Sequence, residues 1–158
     1  MEYYDAIAEG YDGLHKEEQL NKLAIIKGNI KISKDSKLLD VGCGTGISSD
    51  FKCFVVGVDK SIEMLRQGKG LNVNSCAENL PFKDKVFDCV VSVTSIHNFS
   101  SIKKAMGEIK RVGRQCFVFS VLKKSKKFEG IKRLVESSFQ IDKVIEEAKD
   151  SIFFCSTV

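Results

Sequence analysis

The sequence predicts an α/β fold with a parallel sheet and helices on both faces, and three observations carry that prediction. Apolar runs of strand length alternate along the chain with segments of helical period. Two of the runs, residues 86–93 and 115–122, are almost wholly apolar, as strands buried on both faces are. A third run, Lys37-Leu38-Leu39-Asp40-Val41, passes straight into Gly42, Gly44 and Gly46, glycines at every second position. Glycine tolerates positive φ and lets the backbone approach a ligand closely. In a parallel sheet such a turn lies at the carboxyl end of a strand, where ligands bind.

The elements follow in order. Leu14, Leu20, Leu23, Ile25 and Ile26 recur at helical spacing, so a helix is expected over residues 14–28, with Gly28 as its stop. Residues 37–41 form the first strand, and residues 54–58, ending at Asp59, form the second. Ser61 then caps a short helix with Glu63 in its first turn and Gly68 at its end. Residues 71–76 make a weak third strand and residues 86–93 a strong fourth. Ser100 or Ser101 caps a helix to about Val112, and residues 115–122 are the fifth strand. A helix over 126–138 precedes a closing pair of strands, 139–145 and 151–157, of which one is expected to be antiparallel.

Composition sets the bounds. At 158 residues the chain is read as one domain, with residues 1–30 forming a helical cap at its start. Hydrophobic residues are 43% and charged residues 29%, ordinary for a globular protein. No apolar run approaches the roughly 20 residues that span a bilayer. Residues 1–5 lack the pattern of a secretory signal, so a cytoplasmic location with no membrane partner is expected. The six cysteines form no Cys-x-x-Cys pair and read as small buried hydrophobes. Neither His15 nor His97 has ligand-like neighbours, so no metal site is expected. The net charge of +4 is uneven: residues 103–133 hold eleven Lys and Arg against Glu108 and Glu129 alone. That stretch is either a solvated helix face or a surface for an anionic partner such as RNA.

The glycine turn narrows the ligand. The dinucleotide fingerprint is Gly-x-Gly-x-x-Gly, and the spacing here is one residue tighter. No lysine follows the glycines as a triphosphate loop requires. Asp40 would repel a pyrophosphate and suits a cationic ligand, while Asp59 is placed to accept both hydroxyls of a ribose. An adenosine with a cationic tail fits this pattern better than a dinucleotide.

At this point the chain resembles a class I S-adenosylmethionine (SAM)-dependent methyltransferase of the ubiquinone/menaquinone-biosynthesis type. Four segments carry the resemblance. Leu38-Leu39-Asp40-Val41-Gly42-Cys43-Gly44-Thr45-Gly46 resembles the family's first motif, whose glycine backbone lies against the methionine part of SAM. Val55-Val56-Gly57-Val58-Asp59-Lys60-Ser61 resembles the second, whose acidic residue binds the ribose. Ala77-Glu78-Asn79-Leu80-Pro81-Phe82 resembles the third, beside the adenine. Phe87-Asp88-Cys89-Val90-Val91-Ser92, followed by Ile96-His97-Asn98-Phe99, resembles the fourth strand and its exit loop. The opening Tyr4-Asp5-Ala6-Ile7-Ala8-Glu9-Gly10-Tyr11-Asp12 is similar to the segment that folds over the cofactor in such enzymes.

The resemblance implies a Rossmann-like three-layer sandwich in minimal form. Its sheet would have seven strands in the order 3-2-1-4-5-7-6, with strand 7 antiparallel. It also implies SAM as cofactor and S-adenosylhomocysteine as product. The implied cofactor residues are Tyr11, Asp40, Gly42, Gly44, Gly46, Asp59, Lys60, Met64, Ala77, Glu78 and Ser92. Tyr4 is a further candidate for closing the pocket.

Three departures from the family pattern stand out. Only ten residues separate Gly46 from Gly57, so the helix after the glycine turn must be shortened by about a turn. Cys76 occupies a position where an acidic residue often reaches the adenine amino group, leaving backbone groups and Ile62, Met64 and Phe82 to hold that ring. The region after the fifth strand has one helix where relatives insert substrate-binding elements.

Methyl transfer from a sulfonium needs alignment and exclusion of water, with a base only where the acceptor must lose a proton. His97 is the candidate base; its alternative role is to shape the loop. Ser92, Thr94, Ser95 and Asn98 are polar groups of the same loop and suit positioning, while Cys43 suits packing. The Asn-Pro-Pro-Tyr and Asp-Pro-Pro-Tyr motifs of enzymes that methylate planar amino groups are absent. A small-molecule acceptor is the leading expectation. The alternatives are a subunit that needs a partner protein or an RNA, and a SAM-binding protein without activity.

Overall fold

The computed structural model describes residues 8–158, with side chains for residues 16–47 and 49–158. Strand β1 is Lys37–Val41, β2 Phe54–Asp59, β3 Leu71–Asn74, β4 Phe87–Val93, β5 Gly113–Leu122, β6 Gln140–Glu146 and β7 Asp150–Ser156. They form one sheet in the order β3-β2-β1-β4-β5-β7-β6. The pairs from β3 through to β5 are parallel, and β7 runs antiparallel to both of its neighbours. The order and the single reversed strand are those the family resemblance implies.

Alternating side chains divide the sheet between two cores. Leu39, Val90, Phe117 and Phe153 face one side, where helices α3 (Ile102–Val112) and α4 (Phe128–Ser138) cover them with Met106, Ile109, Ile131 and Val135. Leu38, Cys89, Val118 and Phe154 face the other, covered by Leu23 and Ile26 of α1 (Ala8–Lys27). Strands β4 and β5 are therefore buried on two faces over most of their length, which accounts for their largely apolar sequence. The short α2 (Ile62–Gln67) begins at Ser61, whose hydroxyl accepts the Met64 N–H, and α3 begins at Ser101, whose hydroxyl accepts that of Lys104.

Several boundaries differ from expectation by a residue or more, and three of the differences have a physical reason. Helix α1 starts at Ala8, six residues before the expected Leu14, where the apolar period is too weak to show it. Strand β3 ends at Asn74 because its partner β2 ends opposite, at Asp59. The Asp59 carbonyl then accepts from Ser75 N–H and Asn74 Nδ2 and turns the chain away. The helix after the glycine turn is reduced further than by one turn: a single 3-10 turn, Ile47–Ser49, is all that remains. Seven residues, 47–53, must both make that turn and return to the start of β2, which leaves no length for a longer helix.

Candidate functional site

Gly42, Gly44 and Gly46 have φ of +77°, +56° and +88°, so each occupies the left-handed region that glycine enters without steric penalty. The turn is gripped from below and from one side. The Val58 carbonyl accepts from both Gly42 N–H at 2.7 Å and Cys43 N–H at 3.0 Å. Ser95, just beyond β4, donates its hydroxyl to the Gly42 carbonyl at 2.9 Å. Its Cβ would lie 2.5 Å from a Cβ at Gly42, so the two loops touch only because residue 42 has no side chain. Gly57 and Gly68 allow similar close approaches, to the Cys43 thiol and the Thr45 carbonyl.

Asp59 closes the turn from the end of β2. One carboxylate oxygen accepts the Gly44 N–H at 2.8 Å and the other accepts the Ser61 N–H at 2.8 Å. The same residue therefore sets the turn, starts α2 and faces the cleft.

That cleft has two walls. One wall comes from Gly42, Gly44, Asp59, Lys60, Met64, Ala77 and Glu78, and the other from Thr94, Ser95, Asn98, Phe99 and Ser100. Glu78 also accepts the Ser101 N–H at 2.8 Å, which ties the first wall to the start of α3. Seven of the eleven implied cofactor residues thus converge, opposite the positioning candidates Thr94, Ser95 and Asn98.

Others lie elsewhere. Asp40 is fully buried under the turn and accepts from the Ser49 hydroxyl at 2.6 Å. Gly46 starts the 3-10 turn instead of lining the cleft. Ser92 is fully buried within the sheet and donates to the Val41 carbonyl at 2.9 Å, which locks β4 to the end of β1. Tyr4 and the side chain of Tyr11 lie outside the described residues. Cys43 has its thiol pushed up by burial, with Asp40 and Asp59 adding to the effect, so it is a neutral packing group and no nucleophile.

His97 stands in a 3-10 turn, Ile96–Asn98, one residue from the cleft wall. Its carbonyl accepts from Lys127 Nζ at 3.0 Å. Its Nδ1 is buried with no hydrogen-bond partner among the described residues. Burial pushes the imidazole below its ordinary value; Asp150 opposes this, and Lys127 and Lys22 add to it.

One polar group was invisible in the sequence. Lys22 and Asp150 are 2% and 0% exposed and pair at 3.2 Å. Lys22 Nζ also donates to the Thr94 hydroxyl at 2.9 Å. Thr94 and Ser120 in turn donate to the second Asp150 oxygen, at 2.6 and 2.5 Å. Thr94 has φ +51°, unusual for a β-branched residue, and its N–H is held by the Ser120 carbonyl. This cluster joins α1, β5, β7 and the cleft wall. No local pattern marks it, because its members are brought together from four distant segments.

The cleft suits S-adenosylmethionine. Apolar Val58, Met64, Ala77 and Phe99 can hold a base, Asp59 can take ribose hydroxyls, and the glycine backbone leaves room for a methionine chain. Among the described residues no group of three or more His, Cys, Asp or Glu could hold a metal ion.

Comparison with known proteins agrees. Residues 39–116 match the family model described as a methyltransferase domain. The chain is 37% identical over 130 residues to an uncharacterized protein of Methanocaldococcus jannaschii, covering 76% of this chain and 50% of that one. It is 30% identical over 153 residues to demethylmenaquinone methyltransferase of Symbiobacterium thermophilum, covering 80% and 59%. The chain thus spans little more than half the length of these two relatives. The SAM-dependent methyltransferase of Aquifex aeolicus superposes with a TM-score of 0.83 at 17% identity, covering 99% of this chain and 100% of that one. In its strand order, its glycine turn and the match over residues 39–116, the chain is similar to class I SAM-dependent methyltransferases, whose cofactor is S-adenosylmethionine.

Proposed function

We propose that this chain transfers a methyl group from SAM to an acceptor, with a small molecule as the leading class. The acceptor enters from the side of the loop after β4. The observation that carries the reading is the two-walled cleft: one wall is built for a nucleoside and a cationic chain, and the other presents Thr94, Ser95 and Asn98. When bound, SAM supplies an electrophilic methyl on a sulfonium, and the protein's work is alignment and exclusion of water. Asp59 orients the ribose while it clamps Gly44. Met64, Ala77 and Phe99 exclude water from the base. Asp40, buried one layer beneath, contributes negative charge under the turn without touching its surface.

His97 is assigned the proton-accepting role for acceptors that must lose a proton. With its ionisation pushed down, its ring is neutral at pH 7, and Nδ1 has no competing partner among the described residues. The reading is tested by calorimetry with S-adenosylhomocysteine on the wild type and Asp59→Ala. The expected result is a loss of about tenfold or more, equal to about 1.4 kcal/mol. Wild-type affinity in that variant would remove Asp59 from the cofactor site. Tritium transfer from labelled SAM into fractionated cell extract then tests the chemistry, and no transfer into any fraction would favour a binding protein without activity.

A further inference from the structure

The β5–α4 connection carries four lysines in five residues, Lys123-Lys124-Ser125-Lys126-Lys127. The fold brings it to the carboxyl end of the sheet, where α/β proteins bind ligands. Lys127 fixes its place there, because its ammonium reaches the His97 carbonyl at 3.0 Å, beside the cleft wall. Lys103 and Lys104, exposed in the first turn of α3, follow Ser100, itself part of that wall. Lys124, Lys126 and Lys127 are exposed too.

The local carboxylates do not neutralise this rim. Glu108 and Asp84 are both taken by Arg111. The Glu146 carboxylate takes Lys123 and the Ser151 hydroxyl, and that of Glu147 accepts the Lys149 and Asp150 N–H groups. Glu129, exposed in the first turn of α4, forms no ion pair among the described residues. Lys103, Lys104, Lys124, Lys126 and Lys127 have no carboxylate within ion-pair distance among the described residues. Position decides which ligand this charge serves. The wall from β1, β2 and α2 is the one suited to the nucleoside of SAM, so the acceptor must approach from the β4–β5 side. That is the side with the lysines.

Resting on the methyl-transfer reading, we propose that the lysine rim formed by Lys103, Lys104, Lys124, Lys126 and Lys127 binds the phosphates of the methyl acceptor. Phosphate is the shared chemistry, whether it belongs to an RNA strand or to a small phosphorylated molecule. Lysine suits this task as a point charge that tolerates varied phosphate geometry.

The test uses the full chain with saturating S-adenosylhomocysteine and a fluorescein-labelled single-stranded RNA of about 20 nucleotides, longer than the ~4–16 that one small binding module covers. Lys124→Glu/Lys126→Glu is compared with Lys31→Glu/Lys34→Glu, an equal charge reversal on exposed lysines ahead of β1, at the opposite end of the sheet. The rim variant is expected to lose about tenfold or more in affinity, and its log–log salt slope to fall by about 0.7 per lost phosphate contact. The control is expected to stay within about twofold of wild type. Unlabelled adenosine monophosphate is the second arm. Displacement of the RNA at matched phosphate concentration identifies a small phosphorylated acceptor as the source. Failure to displace identifies the polynucleotide. Equal losses in the two variants, or no binding of either probe by wild type, would overturn the proposal. Calorimetry with S-adenosylhomocysteine on the same samples keeps the two readings apart: its failure sinks the cofactor assignment, whatever the rim does.

Discussion

Replacing Lys22 by methionine removes one partner of a buried ion pair while keeping most of the side chain's volume. Lys22 is 2% exposed and Asp150 0%, so neither charge reaches water in the wild type. Removing one member of such a pair costs about 3–5 kcal/mol, because the other is left charged in a low-dielectric site. Here the low end applies. Asp150 would keep two short hydroxyl donors, Thr94 and Ser120, on one oxygen and lose its cation on the other. We therefore expect about 3 kcal/mol, a large share of the ~5–15 kcal/mol that holds a domain together. For a chain of this size that is a fall in Tm of about 6–12 °C.

Urea unfolding followed by circular dichroism measures this cost. The double variant Lys22→Met/Asp150→Asn should return to within about 1 kcal/mol of wild type, since a neutral amide can still accept from Thr94 and Ser120. A single variant within about 1 kcal/mol of wild type would refute the reasoning. So would a double variant no more stable than the single one, because the cost would then not be an uncompensated charge.

Two further outcomes follow from the site. Gly42→Ala should fold but bind S-adenosylhomocysteine at least about tenfold more weakly by calorimetry, because an alanine at φ +77° is strained and its Cβ would meet Ser95 at 2.5 Å. Unchanged affinity would mean that the turn relaxes without moving the cleft wall. For His97, the folded-state ionisation lies below the ordinary 6.5, so the unfolded chain binds the proton more readily. Its contribution to stability is complete above pH 6.5 and falls as the pH drops below that value. An NMR titration of the imidazole with a midpoint at or above 6.5 would contradict this.

Legibility differed from residue to residue for physical reasons. The strands could be read because burial on two faces demands largely apolar runs, as at Phe87–Val93. Asp59 could be read because the end of a strand after a glycine turn has a fixed place in a parallel sheet. The end of β3 could not, since it depends on where β2 stops. Ser92 looked equivalent to Thr94 and Ser95 in sequence, yet strand alternation turns it into the sheet, while the other two reach the cleft.

The glycine turn, the acidic residue after β2 and the alternation of strands and helices are local patterns, and local sterics and burial write them directly into the chain. They sufficed for the fold, the cofactor and the likeness to methyltransferases. The rest needed the chain to close on itself. Lys22 reads as one more lysine on a helix, and Asp150 as a turn residue before a strand. Only the docking of α1 against the ends of β4, β5 and β7 makes them a buried pair behind Thr94. The lysines of residues 123–127 likewise read as a solvated run until the β5–α4 turn sets them beside His97. Both are contacts between segments far apart in sequence, and no local preference encodes a contact of that kind.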